Sequence, residues 1–405
     1  KQDAPRRLNV LLTNGRFPVT LDLARQLHRA GHRIYTVDPM EYHVCKFSNS
    51  VKSSKQLSAP RVDADGYING VKRALKQWNI DLIIPLHEEI FYLAECGDEE
   101  IQSKLLAPSW STLIRLHNKW EFNKMMQRFG LTIPETHLIL TESDIQSLDR
   151  TKEWAVKPVL GRAAVNVYHI YPNRPIPAIP ITPAMSYIAQ EWINGARYCS
   201  YSVLRNGHIA AHGAYPVLET IDGSSCVYFE SYDHPGIQTF VEKIAAELPS
   251  VSAQLAFDFI ETEDNLYVIE CNPRATSGIH LWSGTPYLAR SLTSETPPLE
   301  TIRPPTTWLG HPAKRQVGPG MMMWEHRRAG VRQWLMHMWR LVSATDVVWN
   351  VHDAMPSLMS PFLLTAYYEI CRERKLQLPE MFQWDVVWEP DEVKMEQVNI
   401  FCDEE

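Results

Sequence analysis

The chain contains 405 residues, 45% of them hydrophobic and 21% charged, a composition that fits folded domains and excludes a disordered or collagen-like chain. Its formal net charge of -7 argues against a protein that binds nucleic acid through general attraction to phosphates. The length predicts two or three domains, and the sequence lacks the run of about 18 uncharged apolar residues that predicts a membrane-spanning helix.

Strands and helices alternate in the N-terminal part of the sequence. Short apolar runs predict buried strands at residues 8–13, 32–37 and 80–85. Apolar residues at helical spacing predict helices over residues 19–30 and 66–78, and Gly31 is a suitable C-terminal cap for the first. This alternation predicts a parallel sheet of Rossmann type.

The loops that follow these strands supply candidate substrate-binding residues. The first loop has one glycine where a dinucleotide fingerprint needs three, which disfavours an NAD-dependent oxidoreductase. Ligands of such sheets bind at the carboxyl ends of the strands. The candidates after the first and third predicted strands are Asn14, Gly15, Arg16, His87 and Glu88.

The section from about residue 120 to 285 has an α+β pattern. Helices are predicted over residues 111–129 and 240–248, and short strands over 154–158 and 190–193. The turn Arg205-Asn206-Gly207 predicts a hairpin between strands 198–204 and 208–215. A proline-rich stretch near residue 300 then leads into a C-terminal segment rich in Trp, Met and His.

A second predicted hairpin carries carboxylates that suit a metal ion. Asp258 lies within an apolar strand, Glu270 ends the next strand, and Asn272 and Arg274 follow. Directly opposed residues of a hairpin lie about 5 Å apart, so these oxygen ligands can converge on Mg²⁺. Arg274 is placed to contact a phosphate or an anionic substrate. The alternative is a surface hairpin whose acids are simply solvated.

Two lysines add to this pattern. Lys157 lies within the apolar strand 154–158, where a buried ammonium is costly unless it meets an anion such as phosphate. Lys119 lies in a predicted helix and on its own would be interpreted as a solvated lysine.

The order of these segments resembles the ATP-grasp superfamily of carboxylate–amine ligases. The resemblance extends over residues 8–300 and rests on Lys119, Phe129-Gly130-Leu131-Thr132-Ile133-Pro134, Ala155-Val156-Lys157-Pro158, Gln190-Glu191-Trp192-Ile193 with Gly195, Asp258, Glu270, Asn272 and Arg274. It implies a Rossmann-like domain over residues 1–115 and an ATP-grasp domain over 116–300. The latter would comprise a lid at about 130–190 and a metal-binding core at about 190–300. An α-rich extension over 301–405 would follow.

The resemblance also implies roles for individual residues. Lys119 and Lys157 would bind ATP phosphates, and Gln190, Glu191 and Ile193 would line the adenine pocket. Asp258, Glu270 and Asn272 would hold Mg²⁺, with Mn²⁺ as a substitute. Arg274 and Lys157 would act in catalysis, with Arg274 on the transferred phosphate.

Two positions depart from the superfamily pattern. The lid loop Val159–Val165 has a single glycine, Gly161, and Arg162 is the residue expected to compensate on the phosphates. Arg197 stands where an acid commonly meets the ribose hydroxyls, which leaves the ribose contact open.

A closer resemblance is to the mycosporine-glycine synthase branch. It rests on residues 46–50 and 353–356, the glycine-poor lid, and the run Glu270–Arg274 followed by Ser277. It implies phosphorylation of 4-deoxygadusol and its ligation to glycine, with release of ADP and phosphate. Ser277, Gly278 and His280 are candidates for the acceptor pocket. A peptide-forming ligase and a catalytically silent ATP-binding protein are the alternatives.

The expected partners are a small-molecule acid and an amine, without nucleic acid or membrane, and a homodimer is left open. Seven cysteines with no C-x-x-C spacing predict free thiols in a cytoplasmic protein rather than disulfides or a structural zinc site.

Overall fold

The N-terminal part is a parallel sheet flanked by helices, in a computed structural model that describes residues 6–161, 166–182, 185–221, 223, 225–323 and 330–390. Its strands are β1 (Asn9–Thr13), β2 (Arg33–Asp38), β3 (Val51–Gln56) and β4 (Leu82–Ile84). They pair in the order β3-β2-β1-β4, and every neighbouring pair is parallel. The predicted Rossmann-like arrangement is therefore confirmed.

The helices of this part are α1 (Pro18–Arg29), α2 (Ala64–Trp78), α3 (Glu89–Glu95), α4 (Glu99–Gln102) and α5 (Trp110–His117). Strand β3 was not predicted, because its polar sequence lacks the apolar signal of a buried strand. It pairs at the edge of the sheet, where its side chains are exposed or half-buried.

The single helix predicted over residues 111–129 is in fact two helices, α5 and α6 (Lys119–Arg128). Asn118 between them has an extended backbone, and its side-chain oxygen accepts hydrogen bonds from the backbone N–H groups of Trp120 and Glu121. Asparagine is a favoured N-cap residue. Lys119 is therefore the first residue of a helix rather than a residue within one, and it is buried.

A small antiparallel sheet follows α6. Its elements are β5 (Thr136–Ile139), α7 (Glu142–Gln146), β6 (Trp154–Pro158), β7 (Tyr168–Ile170) and β8 (Tyr187–Glu191). The strand order is β5-β8-β6-β7, and Trp154 and Tyr187 lie at the centre of its core. The strand predicted at 190–193 begins and ends earlier than expected, so Ile193 lies beyond its end.

A larger antiparallel sheet supplies the centre of the molecule. Its strands are β9 (Ala196–Arg205), β10 (His208–Pro216), β14 (Ala253–Glu261) and β15 (Leu266–Asn272). They pair in the order β10-β9-β14-β15, and the predicted β9–β10 hairpin turns at Asn206 and Gly207, both with positive φ. Between β10 and β14 lie β11 (Thr220–Ile221), β12 (Ser225–Cys226), β13 (Tyr228–Glu230) and α8 (Pro235–Glu247).

Helix α8 covers one face of this sheet. Phe240 and Ile244 pack in the same core as Phe257 and Phe259 of β14. The helix begins five residues before its predicted start of 240, because Pro235 is tolerated in the first turn and His234 caps it. The opposite face of β14 and β15 is thereby left to the polar residues of the candidate site.

The C-terminal part is mostly helical, as predicted. Its elements are α9 (Tyr287–Thr293), β16 (Lys314–Gln316), α10 (Gly318–Met322), α11 (Val331–Ser343), β17 (Thr345–Asp346), α12 (Met355–Leu358), α13 (Ser360–Arg374) and α14 (Leu378–Met381). Within the described ranges, no helix is long and apolar enough to cross a membrane. The six cysteines in those ranges are free thiols.

The C-terminal part returns to the N-terminal sheet through buried ion pairs. Arg25 of α1 donates from Nε to Asp353 Oδ2 at 2.8 Å, and Arg16 donates from Nη1 to Asp385 Oδ1 at 2.7 Å. Ser48 also donates to Asp353, at 2.6 Å. The two segments on which the mycosporine-type resemblance partly rests therefore contact each other.

Candidate active site

The β14–β15 hairpin brings two half-buried carboxylates together. Asp258 lies directly opposite Glu270 in the antiparallel register, and Cys199 of β9 faces Asp258 from the other side. Because side chains alternate along a strand, Asn272 lies on the same face as Glu270. Phe257 and Phe259, the neighbours of Asp258, lie in the core on the other face. This register places the three oxygen-bearing side chains on one face of the hairpin.

The electrostatics of the pair suit a divalent cation. Burial, reinforced by the charge of Glu270, raises the pKa of Asp258 to about 7. Burial also opposes ionisation of Glu270, but Lys119 and Lys157 outweigh it and hold the pKa of that carboxyl below its ordinary value. Two adjacent, partly desolvated carboxyls repel each other when both are ionised, and a cation between them offsets that repulsion. Two carboxylates and an amide oxygen are hard ligands of the kind that Mg²⁺ prefers.

Both predicted phosphate-binding lysines reach the same place. Lys119 donates from Nζ to the Gly161 carbonyl oxygen at 2.6 Å, and its Nζ lies 3.6 Å from Glu270 Oε2. Lys157 donates from Nζ to Gln190 Oε1 at 2.9 Å. Burial lowers the pKa of Lys157 to about 8, against the opposing pull of Glu270. The two buried ammonium groups and the two half-buried carboxylates thus form one charged cluster.

Gln190 connects this cluster to the small sheet. While its Oε1 accepts from Lys157, its Nε2 donates to Thr136 Oγ1 at 3.4 Å. Thr136 in turn donates to Asn123 Oδ1 at 3.3 Å, and Asn123 Nδ2 donates to the Lys119 carbonyl at 2.6 Å. Hydrogen bonds therefore link the two lysines through three intermediate side chains. The sequence predicted Gln190 as an adenine-pocket residue, and this contact with Lys157 was not anticipated.

The other predicted adenine-pocket residues lie at the end of β8. Glu191 is half-buried, and its carboxylate lies 3.6 Å from the Lys152 ammonium. The backbone N–H of Glu191 donates to the Glu135 carbonyl at 2.8 Å. Ile193 is half-buried just beyond the strand. Arg162, the residue expected to compensate for the glycine-poor lid, lies outside the described residues.

Arg274 has an incomplete set of partners. Its Nη2 donates to Asn272 Oδ1 and its Nη1 to the Ala275 carbonyl, both at 3.3 Å. Its buried Nε has no hydrogen-bond partner among the described residues. A buried donor without an acceptor is costly, and an anionic oxygen at this position would remove the cost. This observation fits the predicted contact with a transferred phosphate.

Arg197 occupies the strand position where an acid was expected. Its side chain is exposed and donates from Nη1 to the Gly223 carbonyl at 2.8 Å. Its charge also lowers the pKa of Asp258, though less than burial and Glu270 raise it. The residue is thus close enough to influence the carboxylate pair.

The structure corrects the predicted substrate role of Arg16. Its side chain is fully buried and binds two aspartates, with Nη2 2.6 Å from Asp38 Oδ1 and Nη1 2.7 Å from Asp385 Oδ1. Burial opposes its charge, but both aspartates outweigh that effect and hold its pKa above the ordinary value. All three of its side-chain nitrogens donate to these aspartates, and its full burial leaves no room for a substrate anion beside them.

His280 and Gly278 are also corrected. His280 is buried, and its Nδ1 shares a hydrogen bond with Asp22 Oδ2 at 2.7 Å, so it joins the segment after β15 to helix α1. Gly278 lies against Tyr201, whose Cβ would be 2.5 Å from a β-carbon at position 278. A hydrogen bond holds His280 and close packing holds Gly278, and both contacts argue against a place in the acceptor pocket. Ser277 is half-buried at the start of the same short helical segment.

The remaining loop candidates surround a residue that sequence reasoning missed. Glu89 is fully buried and accepts hydrogen bonds from the side chains of Thr13 and Asn14 and from the backbone N–H groups of Leu86 and His87. It thereby ties together the loops after β1 and β4. The signal was available: it is the second acid of the His87-Glu88-Glu89 run.

The other three candidates have structural contacts as well. The His87 ring stacks on Phe17 with centroids 5.1 Å apart, and Gly15 packs against the ring of His43. Glu88 is buried and accepts from the Trp388 backbone N–H at 3.1 Å. The C-terminal segment therefore contacts the loop that carries these residues and covers part of it.

Residues 116–278 match the model of the ATP-grasp domain family. No curated protein matches the chain. Solved structures with a similar fold were found, at low sequence identity. The L-amino acid ligase of Bacillus licheniformis has a TM-score of 0.53 and 16% identity, covering 71% of this chain and 75% of its own.

Two further solved structures are similar. The biotin carboxylase of Campylobacter jejuni has a TM-score of 0.58 and 15% identity over 73% of each chain. The N5-carboxyaminoimidazole synthetase of Staphylococcus aureus has a TM-score of 0.54 and 14% identity, covering 72% of this chain and 78% of its own. Residues 116–278 thus match an ATP-grasp domain, and the fold of the chain is similar to that of solved ATP-grasp structures.

Proposed function

We propose that the protein is an ATP-dependent C–N ligase. It would phosphorylate a carboxylate or a vinylogous acid and join the product to an amine, releasing ADP and phosphate. The observation that carries this proposal is the cluster of two buried lysines, Lys119 and Lys157, with the half-buried Asp258 and Glu270. It lies beside the partly unpartnered Arg274. Phosphoryl transfer depends mainly on positioning and on electrostatic stabilisation of this kind.

Each residue has a defined task in this proposal. Lys119 and Lys157 bind ATP phosphates, while Gln190, Glu191 and Ile193 lie where the adenine pocket is expected. Asp258, Glu270 and Asn272 would hold Mg²⁺, and Mn²⁺ would suit the same oxygen ligands. The bound metal supplies neutralisation of charge on the phosphate oxygens.

The reaction would have two steps. In the first, an oxygen of the acid attacks the γ-phosphorus and the bond to the ADP oxygen breaks. Arg274 and Lys157 offset negative charge on the transferring group. In the second, the amine nitrogen attacks the activated carbon, the bond from that carbon to the phosphate oxygen breaks, and the nitrogen loses a proton. No protein nucleophile is needed in either step.

Identification of the phosphorus products tests this reaction type. With ATP, Mg²⁺ and a competent acid–amine pair, ³¹P NMR should show ADP and orthophosphate accumulating in equal amounts. AMP with pyrophosphate would indicate adenylation and would contradict the proposal. ATP binding without turnover on any pair would favour the catalytically silent alternative.

For the substrates, we propose mycosporine-type ligation of 4-deoxygadusol with glycine. Two segments that carry the resemblance to that branch are in contact, through Ser48, Asn49 and Asp353. The L-amino acid ligase among the similar structures favours a second candidate, a ligase that joins amino acids into a peptide. Mass spectrometry of the product from 4-deoxygadusol and glycine, compared with that from amino-acid pairs, separates the two.

We also propose the division of the chain on which these roles rest: a Rossmann-like domain over 1–115, an ATP-grasp domain over 116–300 and an extension over 301–405. The match of residues 116–278 to the ATP-grasp model supports the start of the second domain.

A further inference from the structure

Helix α11 presents an apolar face to the outside of the molecule. Exposed fractions are 75% for Val331, 55% for Leu335, 65% for Trp339 and 72% for Val342. These residues recur at spacings of four, four and three, which places them on one side of a helix. A surface helix normally turns this side toward the core. Here nothing among the described residues covers it.

The polar side of the same helix faces inward. His337 is buried and its Nδ1 lies 3.1 Å from Glu219 Oε2, while Arg340 Nη1 lies 2.6 Å from Glu219 Oε1. Near the end of the helix, Gln316 Nε2 donates to the Leu341 carbonyl at 2.8 Å. Polar contacts thus fix the orientation of α11 and leave its apolar side free for another surface.

We propose that this face binds the same face of a second copy of the chain, with the two α11 helices antiparallel across a two-fold axis. Within this face, Val331, Leu335 and Val342 follow the four-three-four spacing of a helix–helix seam together with the half-buried Met338 beside Trp339. A two-fold axis requires a patch that complements itself, and an antiparallel pair of identical apolar helices does so.

The size of the face fits a dimer. Four exposed apolar residues and the neighbouring Trp334 and Met336 would bury roughly 600 Å² per copy, close to the ~800 Å² per partner of a standard interface. Beside the helix lies a recess of about 580 Å³, whose lining includes Leu218, Tyr228 and Trp339. Such a recess gives the aromatic side chains of the second copy a place to enter.

The charges around the helix favour a protein partner over a lipid surface. An amphipathic helix that lies on anionic lipid needs a cationic polar side exposed to the headgroups. Here the Arg340 guanidinium pairs with Glu219, and the Lys314 ammonium lies 3.9 Å from Glu230. Of the helix's two arginines, only Arg332 remains exposed.

Sedimentation velocity of the full chain over a wide concentration range tests the proposal. The wild type should sediment as a species of twice the 46.6 kDa chain mass. Leu335→Glu should weaken the dimer at least a hundredfold, because it places a carboxylate of each copy in the seam. Val342→Glu should act in the same way. Far-UV circular dichroism should be unchanged, since both side chains are exposed.

Leu299→Glu is the matched control, because Leu299 is fully exposed outside this face, and it should remain a dimer. A wild-type monomer at all concentrations would overturn the proposal, as would a Leu335→Glu variant that dimerises like the wild type. A monomer that co-sediments with vesicles of phosphatidylcholine and phosphatidylserine would also overturn it and assign the face to lipid.

Discussion

The β14–β15 hairpin and the carboxyl edge of the N-terminal sheet were both predicted to carry functional residues, but those residues have different surroundings in the structure. In the hairpin, Asp258 and Glu270 face each other and lie beside two lysines. At the sheet edge, Arg16 is fully paired with Asp38 and Asp385. Residues that meet through local strand pairing can be placed from sequence. Residues whose partners come from a segment more than 300 positions away cannot.

Glu270→Gln tests the hairpin side of this comparison and has the largest expected effect. It keeps the shape of the side chain but removes one of two proposed metal-ligand charges and a partner of Lys119. We expect ADP formation to fall about a thousandfold, a size typical of losing a preorganised electrostatic contact. The thermal midpoint should change little. Glu263→Gln, at the exposed turn of the same hairpin, is the control and should keep wild-type turnover.

Arg16→Met tests the sheet edge. Removal of the guanidinium leaves Asp38 and Asp385 buried and unpaired, so we expect a loss of about 3–5 kcal/mol in the free energy of unfolding. Urea unfolding measures it. A substrate-binding role predicts the opposite pattern: a raised KM for the acid with unchanged stability. That result would restore the original prediction for Arg16.

Gln190→Glu tests whether the Gln190 amide positions Lys157 and leaves the charge of the lysine available to the ATP phosphates. A carboxylate here would pair with the ammonium and compete with the ATP phosphates, so KM for ATP should rise about tenfold with a smaller change in kcat. Gln127→Glu, an exposed change of equal charge on α6, should leave KM unchanged.

The pH dependence gives a second measure of the same contact. Lys157 must be protonated to attract phosphate, and burial lowers its pKa to about 8. Wild-type affinity for ATP should therefore weaken as pH rises through about 8. In Gln190→Glu this limb should move to higher pH, because the added carboxylate favours the charged lysine. If ATP affinity weakened at the same pH in both proteins, the group that titrates would not be Lys157.

The smallest predicted effect concerns protons released when Mg²⁺ binds. Burial and Glu270 raise the pKa of Asp258 to about 7, so near neutrality part of the free protein holds a proton that the cation must displace. Affinity for Mg²⁺ should rise with pH up to about 7 and then level off. Calorimetry at pH 6.5 in buffers of different ionisation enthalpy should detect the release. Equal heats in all buffers would contradict this arrangement of the carboxylates.

These contrasts show which parts of the molecule can be predicted from its sequence. Apolar runs were enough to predict three strands of the parallel sheet. The β9–β10 hairpin and the carboxylate pair were predictable because a short turn joins the two strands of each hairpin. Strand β3 was missed because a polar edge strand lacks that periodicity. The boundary between α5 and α6 at Asn118 was missed, because a capping residue changes the direction of the backbone without changing the spacing of the apolar residues.

The site itself was only partly predictable. Asp258 and Glu270 lie in strands that pair with each other, so their proximity follows from one turn. The contact between Lys157 and Gln190 depends on the register of two strands separated by 33 residues. The contacts of Glu89 with Thr13 and Asn14, and the ion pair of Arg16 with Asp385, depend on how distant segments pack, so no local pattern gives these partners.

The most direct test of the central proposal is ADP formation with ATP and Mg²⁺ across a panel of acids, including 4-deoxygadusol, each with and without amino acids. We predict ADP that depends on both members of one acid–amine pair and that disappears in Glu270→Gln. ADP released at the same rate in Glu270→Gln, or without any acid, would contradict the proposal that this carboxylate cluster performs the ligation.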